Sequence, residues 1–517
     1  VIPLSVRRLL RPETFFFLLC WVGLMAKFRE RAFNDPGAFW HVKVGERILH
    51  DGFMHTDPFT YTFAGQTWIP QQWGGEVLMA LAHMAGGLDT LLLGMVTLLA
   101  GLFTWLFSRL VGGGMHPVLA AVVCGFALFA GAYHFYARPH MATLALMAVT
   151  MAWIVDFESG RRSAWRLFAL IPLFIIWTNL HGGVLGGTLT LGLAVAGWGI
   201  LFLIKRGYTP IKTWRKAFLL VGIVMACTLT PFINPFGMEM LRTWQRIVGS
   251  NAMKEFVSEH QPLSIANTSG QVTVAFGAFY LIMLAGVLPR LPRVSWLIPL
   301  VWLVLTFQGI RQGPLFSVVA VVVLADFWPQ TMWYRLLKKY GDSLANEPSY
   351  DRGRRWLPIP IGLVLVVFVL QLLGVHASMF GRGWARLDAK HQPVELTNEL
   401  RLYAASEPNG TRIFNDANCG GFIVYHAPSL KIFMDDRFEL YGDAWLRDYV
   451  KIVYSEPERI EEWADRYGFD RAIVQVEPER LPLEKYLSES PRWEVVVRGN
   501  RGAMFRRVTD VKQASAR

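Results

Sequence analysis

The sequence predicts a polytopic α-helical membrane protein that ends in a small α/β domain. Of its 517 residues, 53% are hydrophobic and only 17% charged, which is too apolar for an ordinary soluble chain of this length. The apolar residues fall in blocks long enough to cross a hydrocarbon core of roughly 30 Å. Such blocks are too long for the alternating strands of a porin-like barrel. Beyond residue 377 the composition changes abruptly: Asp, Glu and Arg rise, and short β-type runs appear between helical patterns.

Taken in order, the apolar blocks predict about eleven spans, near 14–27, 88–109, 117–135, 139–155, 164–180, 182–204, 217–233, 271–289, 294–309, 312–328 and 356–377. The first block follows Arg7, Arg8 and Arg11 like a signal peptide, but no small-residue cleavage site follows it. Lys27, Arg29, Glu30 and Arg31 come straight after, so it reads as an uncleaved anchor. With the N-terminus placed in the cytoplasm, most loop cations fall on the inner side. They run from Arg7, Arg8, Arg11 and Arg109 through Arg161, Arg162, Arg166, Lys205, Arg206, Lys212, Arg215 and Lys216. Arg290, Arg293, Arg335, Lys338, Lys339, Arg352, Arg354 and Arg355 complete the set. An odd number of spans then puts residues 378–517 outside, behind a membrane domain of residues 1–377 whose first outer loop is 28–87. The expected location is a bacterial plasma membrane, with the C-terminal domain extracytoplasmic.

Composition also excludes several functions. Lys and Arg exceed Asp and Glu by 51 to 39, a net charge of +12. That excess is the one expected of cytoplasmic loops beside anionic lipid rather than of a nucleic-acid binder. Cys20, Cys124 and Cys227 lie in apolar blocks and Cys419 far downstream, so neither a disulfide framework nor a CxxC site is present.

In the C-terminal segment, Arg412–Phe414, Phe422–Tyr425, Lys431–Met434 and Ala472–Val476 read as strands, 444–454 and 457–467 as helices, and Trp493–Arg507 as a hairpin. Asp435, Asp436 and Arg437 read as ion pairs and Gly420-Gly421 as a turn. The domain is expected to roof the outer face and to help recognise an acceptor.

The sharpest signal is residues 34–76, dense in Asp, His, Trp and Gln. Phe39, Trp40, Val44 and Ile48 recur at helical spacing, predicting an interfacial helix over 37–50 with its aromatics toward lipid. Asp35 stands at its start, either as an N-cap or as a carboxylate base beneath a roofed cavity. Asp57-Pro58 reads either as a turn or as a second acid. His41, His55, Asp57 and Asp35 could together hold a divalent metal, although their spacing fits no familiar ligand motif. No cofactor is otherwise expected.

An Asp just after the first span, helices in the first outer loop, many spans and an outer C-terminal domain together resemble the GT-C superfamily. This superfamily of integral-membrane glycosyltransferases holds the protein O-mannosyltransferases and the aminoarabinose transferases of the ArnT type. The resemblance covers most of the chain. It implies a sugar donor on a polyprenyl phosphate, with Asp35 as the base on the acceptor. Where such relatives often show two adjacent acids, Asp35 is followed by Pro36, and Asp57 is the candidate for the second.

Arg138, His140, His181 and Arg311 are candidates to hold the donor phosphate, because Arg138 and Arg311 are isolated cations where positive charge is otherwise scarce. Trp40, His41, Gln72, Asn179, Glu259 and His260 are candidate substrate contacts; Tyr133, His134, Tyr136 and Asn234 share their face. The expected function is an inverting transfer of sugar from a polyprenyl phosphate to a glycolipid, glycan or protein. The alternatives are a transporter or flippase for lipid-linked saccharides and a non-catalytic assembly protein. The transporter is disfavoured because spans two to eleven carry no Asp or Glu near their centres.

Overall fold

The computed structural model describes residues 11–341, 344–350, 356–376, 380–477 and 481–508. Arg7, Arg8, Arg352, Arg354, Arg355 and the boundary between residues 377 and 378 lie outside them. A helix stands at each of the eleven apolar blocks. Seven helical stretches, from Trp73–Gly112 to Ile310–Gln330, are long and apolar enough to cross a membrane. Ala164–Leu180, Val294–Gln308 and Pro358–Leu372 are shorter, and Pro12–Arg31 carries charge at both ends. The chain is an integral membrane protein with a small C-terminal sheet.

Trp73–Gly112 is two helices in one run. Its backbone breaks at Gly86 and Gly87, where Gly87 takes φ +66°, a conformation that costs glycine little. The break falls at the end of the loop predicted at 28–87, so Trp73 to the break belongs to that loop and the remainder to the bundle. The most enclosed helix is Gly313–Phe327, every residue of which is buried. It packs against Pro117–Gly131, His140–Glu158 and Val294–Gln308.

Ion pairs gather at one end of the helical bundle. There Arg109 and Arg161 pair with Asp156 at 2.9 Å, and Arg161 and Arg293 hold Asp326 at 2.7 and 3.4 Å. Residues Trp73 and His140, which begin the helices ending near Arg109 and Asp156, mark the opposite end, and the cavity described below opens there.

Among its described residues the C-terminal domain has five strands, β1 (Arg412–Asn415), β2 (Lys431–Ile432), β3 (Arg471–Gln475), β4 (Trp493–Arg498) and β5 (Gly502–Arg507). Their order is β2-β1-β3-β5-β4. The first three are parallel and the β4–β5 hairpin is antiparallel. Residues Asp443–Tyr454 and Ile460–Tyr467 are helical as expected.

Two expectations are corrected here. Phe422–Tyr425 is no strand but lies in the helix Ala417–His426; its β-branched and aromatic run mimics a buried strand, an ambiguity that periodicity alone does not resolve. Gly420 and Gly421 lie inside that helix and form no turn. They let it approach closely, since a Cβ on Gly420 would meet the Met434 carbonyl and one on Gly421 the Pro36 carbonyl.

The same docking corrects the loop helix, Gly37–Asp51. Phe39, Trp40 and Val44 are 1%, 5% and 0% exposed, and they face protein rather than lipid. Phe39 packs on Phe422 and Tyr425, while Trp40 and Val44 join the core of the C-terminal domain. His83 adds a bridge, its Nε2 2.7 Å from the Tyr425 hydroxyl.

Candidate functional site

Between one set of helix ends, the first loop and the C-terminal domain lies a cavity of about 890 Å³. Asp35, Trp40, Gln72, Arg138, His140, His181, Glu259, His260 and Arg311 all line it, although they come from six separate stretches of chain. Tyr133, His134 and Tyr136 join them.

Asp35 occupies the turn between Pro12–Arg31 and Gly37–Asp51. Its Oδ1 accepts the Gly37 N–H at 2.8 Å, so it does cap the turn, while its Oδ2 accepts from Arg138 at 2.9 Å. Arg138 also reaches Glu259 at 3.4 Å. Burial pushes the Asp35 carboxyl above the ordinary aspartate range; Arg138 pulls it back and Glu259 opposes that. Burial disfavours the Arg138 charge, but Asp35 and Glu259 more than offset it, so the guanidinium stays firmly protonated. Arg138 is therefore already committed to two carboxylates.

Arg311 is not. Among the described residues no carboxylate pairs with it, and its guanidinium donates to His260 Nε2 at 2.8 Å. Burial and then Arg311 bring His260 down to about 4, so that ring is neutral and serves as acceptor. His181 is neutral for a similar reason, since burial, then His140 and Arg138, push its pKa well down. Its Nδ1 accepts the Gly183 N–H at 2.9 Å, which places the ring hydrogen on Nε2. His140 spends its Nε2–H on the His134 carbonyl at 2.8 Å.

The geometry leaves three candidates outside the cavity lining. Asp57 is buried with Arg437 at 2.7 Å and accepts from the Phe59 and Thr60 backbone, so it anchors structure and supplies no second acid to the cavity. Asn179 is used up as a clasp between helices, accepting from Trp73 Nε1 at 2.7 Å and donating to the Ile175 and Ile233 carbonyls. His41 is fully buried with its Nδ1 2.9 Å from Glu76 Oε1, held neutral by burial first and Arg138 second. Asn234 caps its own turn. His41, His55, Asp57 and Asp35 do not converge, and among the described residues no three His, Cys, Asp or Glu side chains gather as a metal site requires.

Several lining residues went unassigned in the sequence. Glu76 begins the Trp73–Gly112 helix. Asp436, Arg437 and Glu439 come from the C-terminal domain, so the roof does reach the cavity. Arg437 is wedged between Asp57 and Asp435, 4.5 Å over the Trp68 ring. Asp436 is free of that pair and accepts from Trp40 Nε1 at 2.7 Å. The MDDRFELYG run carried the acids as a visible signal; nothing local indicated which of them faces inward.

No family model matches the chain, and no curated protein does. Among solved structures, it is similar to the arabinofuranosyltransferase AftD from Mycobacteria (12% identity, TM-score 0.44), covering 96% of this chain and 40% of that one. It is also similar to ArnT from Cupriavidus metallidurans, a structure bound to undecaprenyl phosphate (15% identity, TM-score 0.44), covering 96% of this chain and 97% of that one. The functional reading rests on the cavity itself.

Proposed function

We propose that the chain is a GT-C-type inverting glycosyltransferase, moving a sugar from a polyprenyl-phosphate donor to a hydroxyl or amine acceptor. The acceptor class is a glycolipid, glycan or protein, and the work is done at the extracytoplasmic face of a bacterial plasma membrane. One observation carries the reading: a carboxylate, Asp35, and a cation without a carboxylate partner among the described residues, Arg311, line one cavity at the ends of apolar helices. A lipid-anchored phosphate entering between those helices meets Arg311 at the level where its headgroup lies.

The chemistry uses both groups. The acceptor O–H gives its proton to Asp35 as the oxygen bonds to the anomeric carbon. The bond from that carbon to the phosphate oxygen breaks on the opposite side, and its electron pair leaves on the phosphate. Fixed donors stabilise that charge without reorganising; Arg311 is the cationic one and His181 Nε2–H the neutral one. A single displacement inverts the anomeric centre. Trp40 and Trp68 form part of the cavity wall, and Gln72 supplies hydrogen bonds for a sugar.

The test is incubation of the purified protein with labelled polyprenyl-phosphate sugars and candidate acceptors, with the product's anomeric configuration read by NMR. Transfer with inversion supports the reading. Tight binding without turnover for every donor and acceptor, together with flux across vesicles, overturns it in favour of a carrier.

A further inference from the structure

We propose that Asp436, carried by the C-terminal domain, is the second carboxylate of the reacting centre and shares a proton with Asp35. This deepens, and rests on, the glycosyltransferase reading.

The geometry around Gly37 carries the argument. A Cβ placed on that glycine would lie 2.8 Å from Asp35 Oδ1, 3.0 Å from Asp436 Oδ2 and 3.1 Å from Arg138 Cζ. Two carboxylates and one guanidinium therefore converge on a single point at the cavity wall. Like charges at such range do not both ionise freely, so one carboxyl keeps its proton. Asp35 has the direct Arg138 contact at 2.9 Å, while among the described residues Asp436 is hydrogen-bonded only by the neutral Trp40 N–H, so the proton stays on Asp436. Consistently, burial first and the Asp35 charge second push Asp436 up to about 8, against Arg138 and with Asp435 adding to the rise.

This placement is enforced from both sides. Gln392 donates to the Phe33 and Asn34 carbonyls at 2.9 and 3.1 Å, and Gly421 seats the domain helix on the Pro36 carbonyl. The buried Asp57–Arg437–Asp435 group fixes the residues flanking Asp436. The domain thus clamps the turn that carries Asp35 and delivers an acid beside it.

In the working state Asp35 is the anion that receives the acceptor proton, and the neutral Asp436 carboxyl orients the acceptor. When Asp436 ionises, a second anion faces the space the donor phosphate enters, and donor binding weakens. Asp35, Asp435, Arg138 and Trp40 are the charged and polar groups acting on it.

Two arms test this on the full-length protein in detergent or nanodiscs. Infrared difference spectra of wild type minus Asp436→Asn are expected to show the C=O stretch of a protonated carboxyl at pH 7. That band should disappear as pH rises through about 8, and Asp35→Asn should move its loss to lower pH. The second arm measures donor KM against pH. Wild-type KM is expected to rise above that pH, Asp436→Asn to lose the rise, and Asp436→Ala to lower kcat roughly tenfold or more with partial rescue by Asn. No carboxyl band in the difference spectrum, or an Asp436→Ala enzyme with wild-type kcat, KM and pH profile, overturns the proposal. If wild type transfers no sugar, the glycosyltransferase reading falls, and the infrared arm still decides whether Asp35 and Asp436 share a proton.

Discussion

Arg138 and Arg311 are both partly buried cations on one cavity, but the structure gives them unequal stability consequences. Arg138→Met removes the guanidinium between Asp35 and Glu259, which sit 2.9 and 3.4 Å away with side chains 10% and 28% exposed. Breaking a largely buried pair leaves uncompensated charge and costs about 3 kcal/mol. The sign with pH follows from Asp35. Without Arg138 its folded-state pKa rises further above the unfolded value, so the stability deficit is largest near neutral pH and shrinks as pH falls and the carboxyl takes up its proton. Arg311→Met loses only the bond to His260, about 1 kcal/mol. It should instead weaken binding of the proposed polyprenyl-phosphate ligand by roughly 10- to 100-fold, the value of one charge-assisted bond of about 1.5–3 kcal/mol. Thermal unfolding followed by tryptophan fluorescence at pH 5 and 7, with titration of undecaprenyl phosphate, separates the two. An Arg138→Met protein as stable as wild type, or an Arg311→Met protein with unchanged affinity for the lipid phosphate, refutes the reasoning.

Two further outcomes follow from the docked domain. Gly421→Ala drives a methyl into the Pro36 carbonyl; overpacking of this kind costs about 1–3 kcal/mol, and displacement of the Asp35 turn should cut turnover more than it lowers the unfolding temperature, read by paired activity and melting curves. Asp57→Asn strips one anion from a fully buried Arg437. It should destabilise the protein by about 3 kcal/mol and speed proteolysis between the two domains, while the affinity for undecaprenyl phosphate at Arg311 changes little.

Much of this architecture was legible because membrane spans announce themselves locally. Apolar blocks placed the helices, and the predicted loop end at residue 87 coincides with the backbone break at Gly86 and Gly87. Asp35, Arg138 and Arg311 stood out because each is a charge at the edge of apolar sequence. What stayed hidden depends on partners far along the chain. Arg138 lies 103 residues from Asp35, and Arg437 lies 380 from Asp57, so no local pattern could show that Asp57 is buried by its ion pair. The aromatics of Gly37–Asp51 carry the periodicity of a lipid-facing helix, and only the presence of Phe422 and Tyr425 turns that face into an interface. For the same reason Asp436 reads in the sequence as part of an ion-pair group with its neighbours, and only the fold separates it from the Asp435–Arg437 pair.

The measurement that bears most directly on the central claim is transfer from labelled polyprenyl-phosphate sugars by Asp35→Asn beside wild type. The amide keeps the cap to Gly37 and most of the shape but loses basicity. Turnover should fall by at least about 100-fold, with the polyprenyl-phosphate ligand still bound and an inverted product from wild type. Near-normal transfer by Asp35→Asn would contradict it.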